Sequence, residues 1–442
     1  MNIIIVGTQF GDEGKGKLLN WLIEEKGDVA VRFNGGSNAG HTISINGIKY
    51  YTHVLPSGVI SKDKLNLLGS GMVIGLDNLL EEINDITKKD IDITNRLFIS
   101  DRAHIVLTVH KKLDLIKGKK IGTTGQGIGP CYGDKSLRRG LRICDICAED
   151  WKERLDKFYR NYYDIDYLTF MKNDEILIEK NKDCNEIIDY LNFIKNDQIL
   201  IEKNRDFIKS IVVNEIDFMN KIIKEKKRII FEGANATMLD INYGTYPNVT
   251  SSICTVPGVF SGSGMNPSIF YNNPHEIIGV VKAYTTRVGN GKLITESIEE
   301  GKIMQIVGGE IGVTTGRIRR CGWLDLPQLK YSIYINGITV LNITKLDVLS
   351  EFDNIKVCIK YLNTKTNTET ETIPSDEEIL ENLEPIYVEL LGWKNYKLSD
   401  IKNYNDLHPN IKNYIEFIEK NLNIPIKYIN TGQDKHLMII KD

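Results

Sequence analysis

The sequence predicts an α/β protein with a large, mostly parallel central sheet flanked by helices. Two observations predict it. The apolar run Ile3-Ile4-Ile5-Val6 reads as a buried strand, and a glycine-rich turn carries it into Leu18-Leu19-Asn20-Trp21-Leu22-Ile23, whose spacing reads as a helix. Comparable apolar runs then recur along the chain, each ending in a small or polar loop and separated by helical spacing, which is the pattern of strands joined by crossover helices.

The chain has 442 residues, room for one large domain or two to three ordinary ones. At 41% hydrophobic and 26% charged it has a globular composition, and a net charge of −3 gives no overall basic field for nucleic acid or an anionic membrane. Anionic ligands must be held by local clusters. The seven cysteines are scattered, unlike a stapled secreted domain, and Cys144-Asp-Ile-Cys147 has no second pair or histidine cluster to make a metal or redox site of it. The first residues already read as strand, with no cationic stretch leading into a signal-type apolar run, and no run approaches the ~20 residues that span a bilayer. The expected compartment is a reducing cytoplasm.

The first turn is Gly7-Thr-Gln-Phe-Gly-Asp-Glu-Gly-Lys-Gly-Lys17. Strand, glycine loop and helix aim backbone N–H groups at a phosphate. From Gly11 the residues fit G-x-x-x-x-G-K, but Leu18 stands where a Ser or Thr hydroxyl usually holds Mg²⁺. A metal here needs another oxygen, and Asp12 lies within the loop itself. A second strand, Asp28 to Phe33, runs into Asn34-Gly-Gly-Ser-Asn-Ala-Gly-His-Thr42, where small residues let backbone approach a ligand and His41 stands at a strand's C-terminal end. A hairpin through Asn46-Gly47 should follow.

Further strands are expected at 64–68 and 97–100, with a helix from Leu76 between them. Ile121-Gly-Thr-Thr-Gly-Gln-Gly-Ile-Gly-Pro130 and the basic run Arg138-Arg-Gly-Leu-Arg142 suit a phosphate and equally suit a surface loop beside a solvated charge run. Residues 150–227 change character: rich in Lys, Asn, Glu and Ile, they read as a helical insertion. Within it Asn173–Asp183 nearly recurs as Asn196–Asp206, a local duplication with no expected chemistry. The sheet pattern resumes at 228–232 and 276–284. Val313-Thr-Thr-Gly-Arg-Ile-Arg-Arg320 offers hydroxyls and arginine forks to an anion. The strand 338–343 ends in Thr344-Lys-Leu-Asp347, the pattern with which GTP-binding proteins read guanine: the Asp accepts from N1–H and the 2-amino group. Adenine has no matching donors, so the Asp would be left unpaired at a cost of about 1–3 kcal/mol. The C-terminal part is expected to add helices and end in strand-like 426–432, whose Asn-Thr-Gly turn could pack on the base, and 437–440.

Taken in order, these motifs resemble the adenylosuccinate synthetases over nearly the whole chain. Besides the loops above, Phe231-Glu-Gly-Ala234, Gly244-Thr-Tyr-Pro247, Val249-Thr-Ser-Ser252 and Ala283-Tyr-Thr-Thr-Arg287 carry the likeness. The resemblance implies a single domain over 1–442, similar to the P-loop NTPases, with smaller subdomains and the 150–227 insertion. It implies a cytoplasmic, homodimeric ligase of purine biosynthesis that joins L-aspartate to IMP using GTP and one Mg²⁺ per subunit, through a 6-phosphoryl-IMP intermediate. Asp12 would be the base and His41 the acid, with Asp12 and the Gly40 carbonyl on the metal. GTP would meet Gly11, Asp12, Glu13, Gly14, Lys15, Gly16 and Lys17, then Gly40, His41, Thr42 and Arg319. The guanine base would meet Lys345, Leu346, Asp347, Asn430, Thr431 and Gly432. IMP would meet Asp12, Lys15, Asn38, Ala39, Thr124, Asn235, Thr250 and Arg317, with Arg138 reaching in from a second subunit. Aspartate would meet Val313, Thr314, Thr315, Gly316, Arg317 and Arg319.

Three positions depart from the family pattern. Asn235 replaces Gln and shortens an amide's reach, Gln126 replaces Arg and removes a charge near the IMP phosphate, and Ile318 interrupts the arginine run and should point away from ligand. A GTP-dependent switch would explain the phosphate loop and TKLD but not Asp12, Leu18 or the arginines at 317–320; another nucleotide-dependent ligase acting on a carboxylate is the remaining alternative.

Overall fold

The computed structural model describes residues 1–45, 48–118, 122–163, 183–312, 316–432, 434 and 436–441. Its centre is a ten-stranded sheet. In chain order the strands are β1 (Asn2–Gly7), β2 (Val29–Arg32), β3 (Leu65–Leu68), β4 (Leu97–Ser100) and β5 (Val212–Val213). They continue as β6 (Ile229–Glu232), β7 (His275–Lys282), β8 (Val340–Thr344), β9 (Ile426–Asn430) and β10 (Met438–Ile440). The order across the sheet is β10-β9-β8-β7-β1-β6-β2-β3-β4-β5, and every pairing is parallel except that of the edge strand β10. The sheet therefore grows outward from β1 in both directions, and the crevice at the strands' carboxyl ends around β1 is where such sheets bind ligands.

Burial on both faces explains the unbroken apolar runs. Ile3 and Ile5 of β1 pack with Leu18, Leu19, Leu22 and Ile23 of α1 (Lys15–Glu25) on one face, while Ile4 and Val6 enter the larger core on the other. Each fully buried aliphatic side chain contributes about 1.5–3 kcal/mol. Leu18 is wholly buried in this packing, so the position that would carry a metal-binding hydroxyl is a core position here.

The expected hairpin forms between strands His41–Ile45 and Ile48–Thr52, its turn residues 46 and 47 lying outside the described residues. Residues 150–227, expected as a helical insertion, contain helices Trp151–Tyr163, Asp183–Ile211 and Glu215–Lys224, but also β5, which pairs with β4 at the edge of the central sheet. Ile194, Ile201 and Ile208, seven residues apart on the second of these helices, enter a core cluster with Leu97 and Ile99 of β4. The second copy of the duplication lies on this helix. Its Asp197 accepts from the Thr108 N–H and hydroxyl and from Tyr159 Oη at 2.5 Å, so it caps the helix Thr108–Lys117. Residues 173–182 of the first copy lie outside the described residues.

One expectation is corrected. Between residues 354 and 391 the C-terminal part forms strands where helices were expected: Asn354–Asn363, Thr368–Thr370 and Leu383–Leu391 pair in a small sheet with Leu324–Asp325. Only Ile355, Val357, Cys358 and Tyr361 of the first strand are fully buried, so charged residues between them hide the alternation. Among the described residues no helix is long and apolar enough to cross a membrane.

Candidate functional site

The loops that follow β1, β2, β6, β7, β8 and β9 converge on one cavity of about 570 Å³, at the carboxyl ends of the strands. The β1 loop bends by left-handed backbone: Gly11 has φ 89°, Asp12 φ 60° and Gly14 φ 87°. Asp12 is the one of these with a side chain, and a non-glycine residue held there costs on the order of 1–3 kcal/mol unless its surroundings require it. Its carboxylate is a third exposed in the cavity and accepts from Arg319 Nε at 2.8 Å. Glu13 turns the opposite way. It is fully buried and accepts from the Gln9 N–H (3.1 Å), the Gly11 N–H (2.9 Å) and Lys15 Nζ (2.8 Å), so its carboxylate shapes the loop from within.

The β2 loop is braced from below by Arg32, which is buried and donates to the carbonyls of Gly36 (2.9 Å), Ala39 (3.5 Å) and His53. A Cβ on Gly16 would meet His41 Cβ at 3.1 Å, which is how close α1 comes to this loop. His41 lines the cavity with Nδ1 against the Glu232 carboxylate and 3.2 Å from Ser57 Oγ. Glu232 is held in turn by the Ser57 N–H at 2.7 Å and hydroxyl at 2.8 Å. Burial alone would push the Glu232 carboxyl up; His41, Arg32 and the Ser57 N–H more than offset this and hold it below its ordinary range. A carboxylate facing Nδ1 places the proton there and leaves Nε2 for a ligand.

At the end near Asn235, Lys15 Nζ reaches that residue's carbonyl at 2.6 Å, and Asn38 Nδ2 donates to Thr250 Oγ1 at 3.2 Å. Gln126 Oε1 accepts from Ser37 at 3.2 Å, and Arg317 donates to the Gly122 carbonyl at 2.7 Å, so the 122–130 and 316–320 loops meet across the cavity. At the opposite end Thr344 Oγ1 donates to the Glu13 carbonyl at 2.7 Å, tying the TKLD turn to the phosphate loop. Lys345, in left-handed backbone at φ 63°, donates to the Gly308 carbonyl at 2.6 Å. Lys17 donates to the carbonyls of Gly432 and Leu437 at 2.8 Å each; burial draws its ammonium down to about 8 against the pull of Asp347 and Asp434. Asn235 Oδ1 and Asn430 Oδ1, on residues that line the cavity, are buried with no hydrogen-bond partner among the described residues, as expected of groups that await a ligand.

Most of the expected site residues line this cavity. The exceptions are informative. Leu346 and Thr431 are buried and do not line the cavity, and the Leu346 carbonyl accepts from Trp393 Nε1 at 3.2 Å. Arg138 is exposed at the left-handed end of the helix Ile128–Leu137, outside the cavity of its own chain. Gly316 is exposed at φ 65° beside the cavity, Val313, Thr314 and Thr315 lie outside the described residues, and Ile318 is 67% exposed, away from the cavity. Sequence reasoning passed over four buried groups: Gln9, Glu232, Lys282 and Glu310. Glu232 at the end of β6 had a signal, a charge closing an apolar run. Glu310 had none. The Cys144 and Cys147 thiols are unpaired and pushed up by burial, the opposite of a reactive pair.

A glycine loop with an internal carboxylate, facing a carboxylate-backed histidine and ending at a Thr-Lys-Leu-Asp turn, all around one cavity at the ends of a parallel sheet, is the arrangement of a nucleotide-dependent enzyme. A family model for adenylosuccinate synthetase matches residues 4–439. The chain is 43% identical to the adenylosuccinate synthetase of Meyerozyma guilliermondii, with 99% of each covered, and 44% identical to that of Schizosaccharomyces japonicus, with 99% of this chain and 96% of the relative covered. Its structure is similar to that of the fully ligated Plasmodium falciparum enzyme, with a TM-score of 0.85 at 41% identity over 100% of both chains. A cyanophage S-2L succinoaminodeoxyadenylate synthetase, 18% identical with a TM-score of 0.61 over 99% of this chain and 95% of that one, shares the fold. The chain belongs to the adenylosuccinate synthetase family, the ligases that join L-aspartate to IMP with GTP as co-substrate.

Proposed function

We propose that this chain makes adenylosuccinate in two steps at the cavity described. Asp12 takes the N1 proton of IMP, the 6-oxygen attacks the γ-phosphorus of GTP, and the bond to the β–γ bridging oxygen breaks to release GDP. The aspartate amine then attacks C6, the C6–O bond breaks, phosphate leaves and one amine proton is lost. The observation that carries this reading is the placement of Asp12 and His41 on two glycine loops of one cavity, beside Lys345 and Asp347. His41 donates from Nε2 to charge developing on the departing phosphate side, a step that requires both ring nitrogens protonated, with Nδ1–H held by Glu232.

The donor set suits Mg²⁺. Among the described residues no cluster of three or more His, Cys, Asp or Glu side chains could hold a metal, yet Mg²⁺ takes one or two protein oxygens and completes its shell with phosphates and water. Asp12, a third exposed, and the Gly40 carbonyl would be those oxygens, and the metal would neutralise charge on the transferring phosphate. Arg319 bonds one oxygen of Asp12, and when Asp12 turns to substrate Arg319 exchanges that contact for the phosphates and aspartate.

IMP lies between Asn38, Ala39, Thr124, Asn235 and Thr250, with Lys15 and Arg317 beside it. Arg138, exposed on its own chain, reaches the IMP phosphate of a second copy in a homodimer. Mixing Arg138→Leu protein with protein inactivated at Asp12 should restore part of the activity through one intact composite site; no recovery despite verified subunit exchange contradicts the shared site. We read 1–442 as one domain with 150–227 as an insertion, which predicts a single cooperative unfolding transition. The free thiols among the described residues, four of them buried and two partly buried, fit a reducing cytoplasm, to be checked by fractionation. The whole assignment is tested by following GDP release: turnover should require IMP and aspartate together, and comparable turnover without either one would favour a switch.

A further inference from the structure

Arg319 is held at two points. Its Nε donates to Asp12 at 2.8 Å, and another guanidinium nitrogen donates to Glu310 at 2.7 Å. Glu310 is itself almost fully buried and immobilised from the sheet. Lys282, at the end of β7, lies 3.1 Å from each of its oxygens, and the Tyr284 hydroxyl donates to it. Lys282 is fixed in turn by a bond to Thr286 at 2.6 Å. On its other side Glu310 stands 3.9 Å from Lys345 Nζ, which bonds the Gly308 carbonyl two residues earlier in the same segment.

One carboxylate therefore meets three cations, each from a different part of the cavity: the end of β7, the arginine loop and the guanine-reading turn. A carboxylate is costly to bury, and the cations hold this one ionised; burial would raise it, but Lys282, Lys345 and Arg319 bring it down to about 2. The planar guanidinium gives the arrangement a direction, because a fork anchored on Glu310 by one nitrogen can present the others only within a small arc. When Asp12 turns to substrate, Arg319 loses one partner and keeps the other.

We propose that Glu310 is a positioning residue for the ligase reaction, the fixed pivot that keeps Arg319 over the phosphate and aspartate sites after Asp12 releases it and links that placement to Lys345 at the guanine end. The inference rests on the role given to Arg319 above. Glu310 touches no substrate; it acts through the arginine.

The test is a double-variant cycle on the full-length enzyme, with Glu310→Gln and Arg319→Lys singly and together, reading kcat and the KM of each substrate. Each single variant should lose roughly 10–100-fold in kcat/KM for GTP and for aspartate, the size expected for a charged hydrogen bond, with the KM for IMP little changed. The double variant should lose about as much as the worse single one, because a pivot without its arm has nothing further to disturb. A purely structural role would depress all three substrates together, and independent roles would multiply the losses; either result overturns the proposal. Glu310→Gln leaves three cations around a neutral amide and could unfold, so Tyr284→Phe, which removes one donor and no charge, is run through the same cycle. It should give a smaller loss in the same direction that disappears in the Arg319→Lys background, and a loss that persists there overturns the proposal equally. If Arg319→Lys alone matches the parent enzyme, the role of Arg319 itself falls, a different failure with a different signature.

Discussion

The two sides of the cavity are built on different terms. On the strand-end side, polar groups find their partners within the protein: Glu13 is bonded by two loop N–H groups and Lys15, and His41 is backed by Glu232, which Ser57 holds. On the arginine side, Arg319 and Arg317 hold on across the cavity, one to Asp12 and the other to the Gly122 carbonyl. The first side is set by the sheet before any ligand arrives, which is what preorganised electrostatic catalysis requires. The second, apart from the bond of Arg319 to Glu310, makes contacts that substrates would replace. Binding and catalysis can thus be disturbed separately, and substitutions on the two sides should behave differently.

The sharpest contrast is expected at Asp12, which belongs to both sides. On the roles proposed for it, base and metal ligand together, Asp12→Asn should abolish measurable turnover with GTP and IMP saturating, while the protein stays folded because the residue stands in a loop. Residual kcat within a hundredfold of the parent would remove Asp12 from the chemistry. His41→Asn, confined to the preorganised side, should lower kcat by roughly 10²–10⁴-fold and leave IMP affinity by calorimetry nearly intact, because a transition-state contact is lost. A near-normal kcat would make His41 structural.

Smaller effects belong to the nucleotide end. Asp347→Asn presents a donor to the guanine N1–H, and GTP use should fall roughly 10–100-fold while xanthosine triphosphate becomes the better donor. Unchanged GTP affinity would separate Asp347 from guanine. The smallest effect is a proton. Lys17 titrates at about 8 because burial disfavours its charge. Contact with phosphate favours the charged form, so its pKa rises on binding, and GTP should take up about half a proton at pH 8 and almost none at pH 6, where the lysine is already charged. GTP affinity accordingly weakens as pH climbs through 8. Calorimetry in buffers of different ionisation heat reads the uptake directly, and an equal uptake by Lys17→Met would assign it elsewhere.

The same division explains what could be read from the amino acids alone. The glycine loops after β1 and β2 and the TKLD turn were legible because close backbone approach and guanine recognition demand particular residues in a short run. Asp12 stood out against a familiar spacing. Lys282 and Glu310 did not, since a lone lysine after Val280-Val281 and a lone glutamate after two glycines look like surface charges, and only their meeting in space, 28 residues apart in sequence, gives them a role. The sheet at 354–391 was missed because its exposed face is as charged as a solvated helix. Of the residues expected to meet aspartate, Val313, Thr314 and Thr315 lie outside the described residues, while Gly316, Arg317 and Arg319 are described.

The central claim is that the 6-oxygen of IMP becomes a phosphate oxygen. Turnover of IMP labelled with ¹⁸O at position 6, followed by mass analysis of the released phosphate, tests it without a mutation. If Asp12 makes that oxygen the nucleophile toward the γ-phosphorus, one ¹⁸O appears in each phosphate and none in adenylosuccinate at C6. Unlabelled phosphate, with the ¹⁸O recovered in water, would mean that the 6-oxygen leaves C6 without ever bonding to phosphorus, and the account would be wrong at its first step.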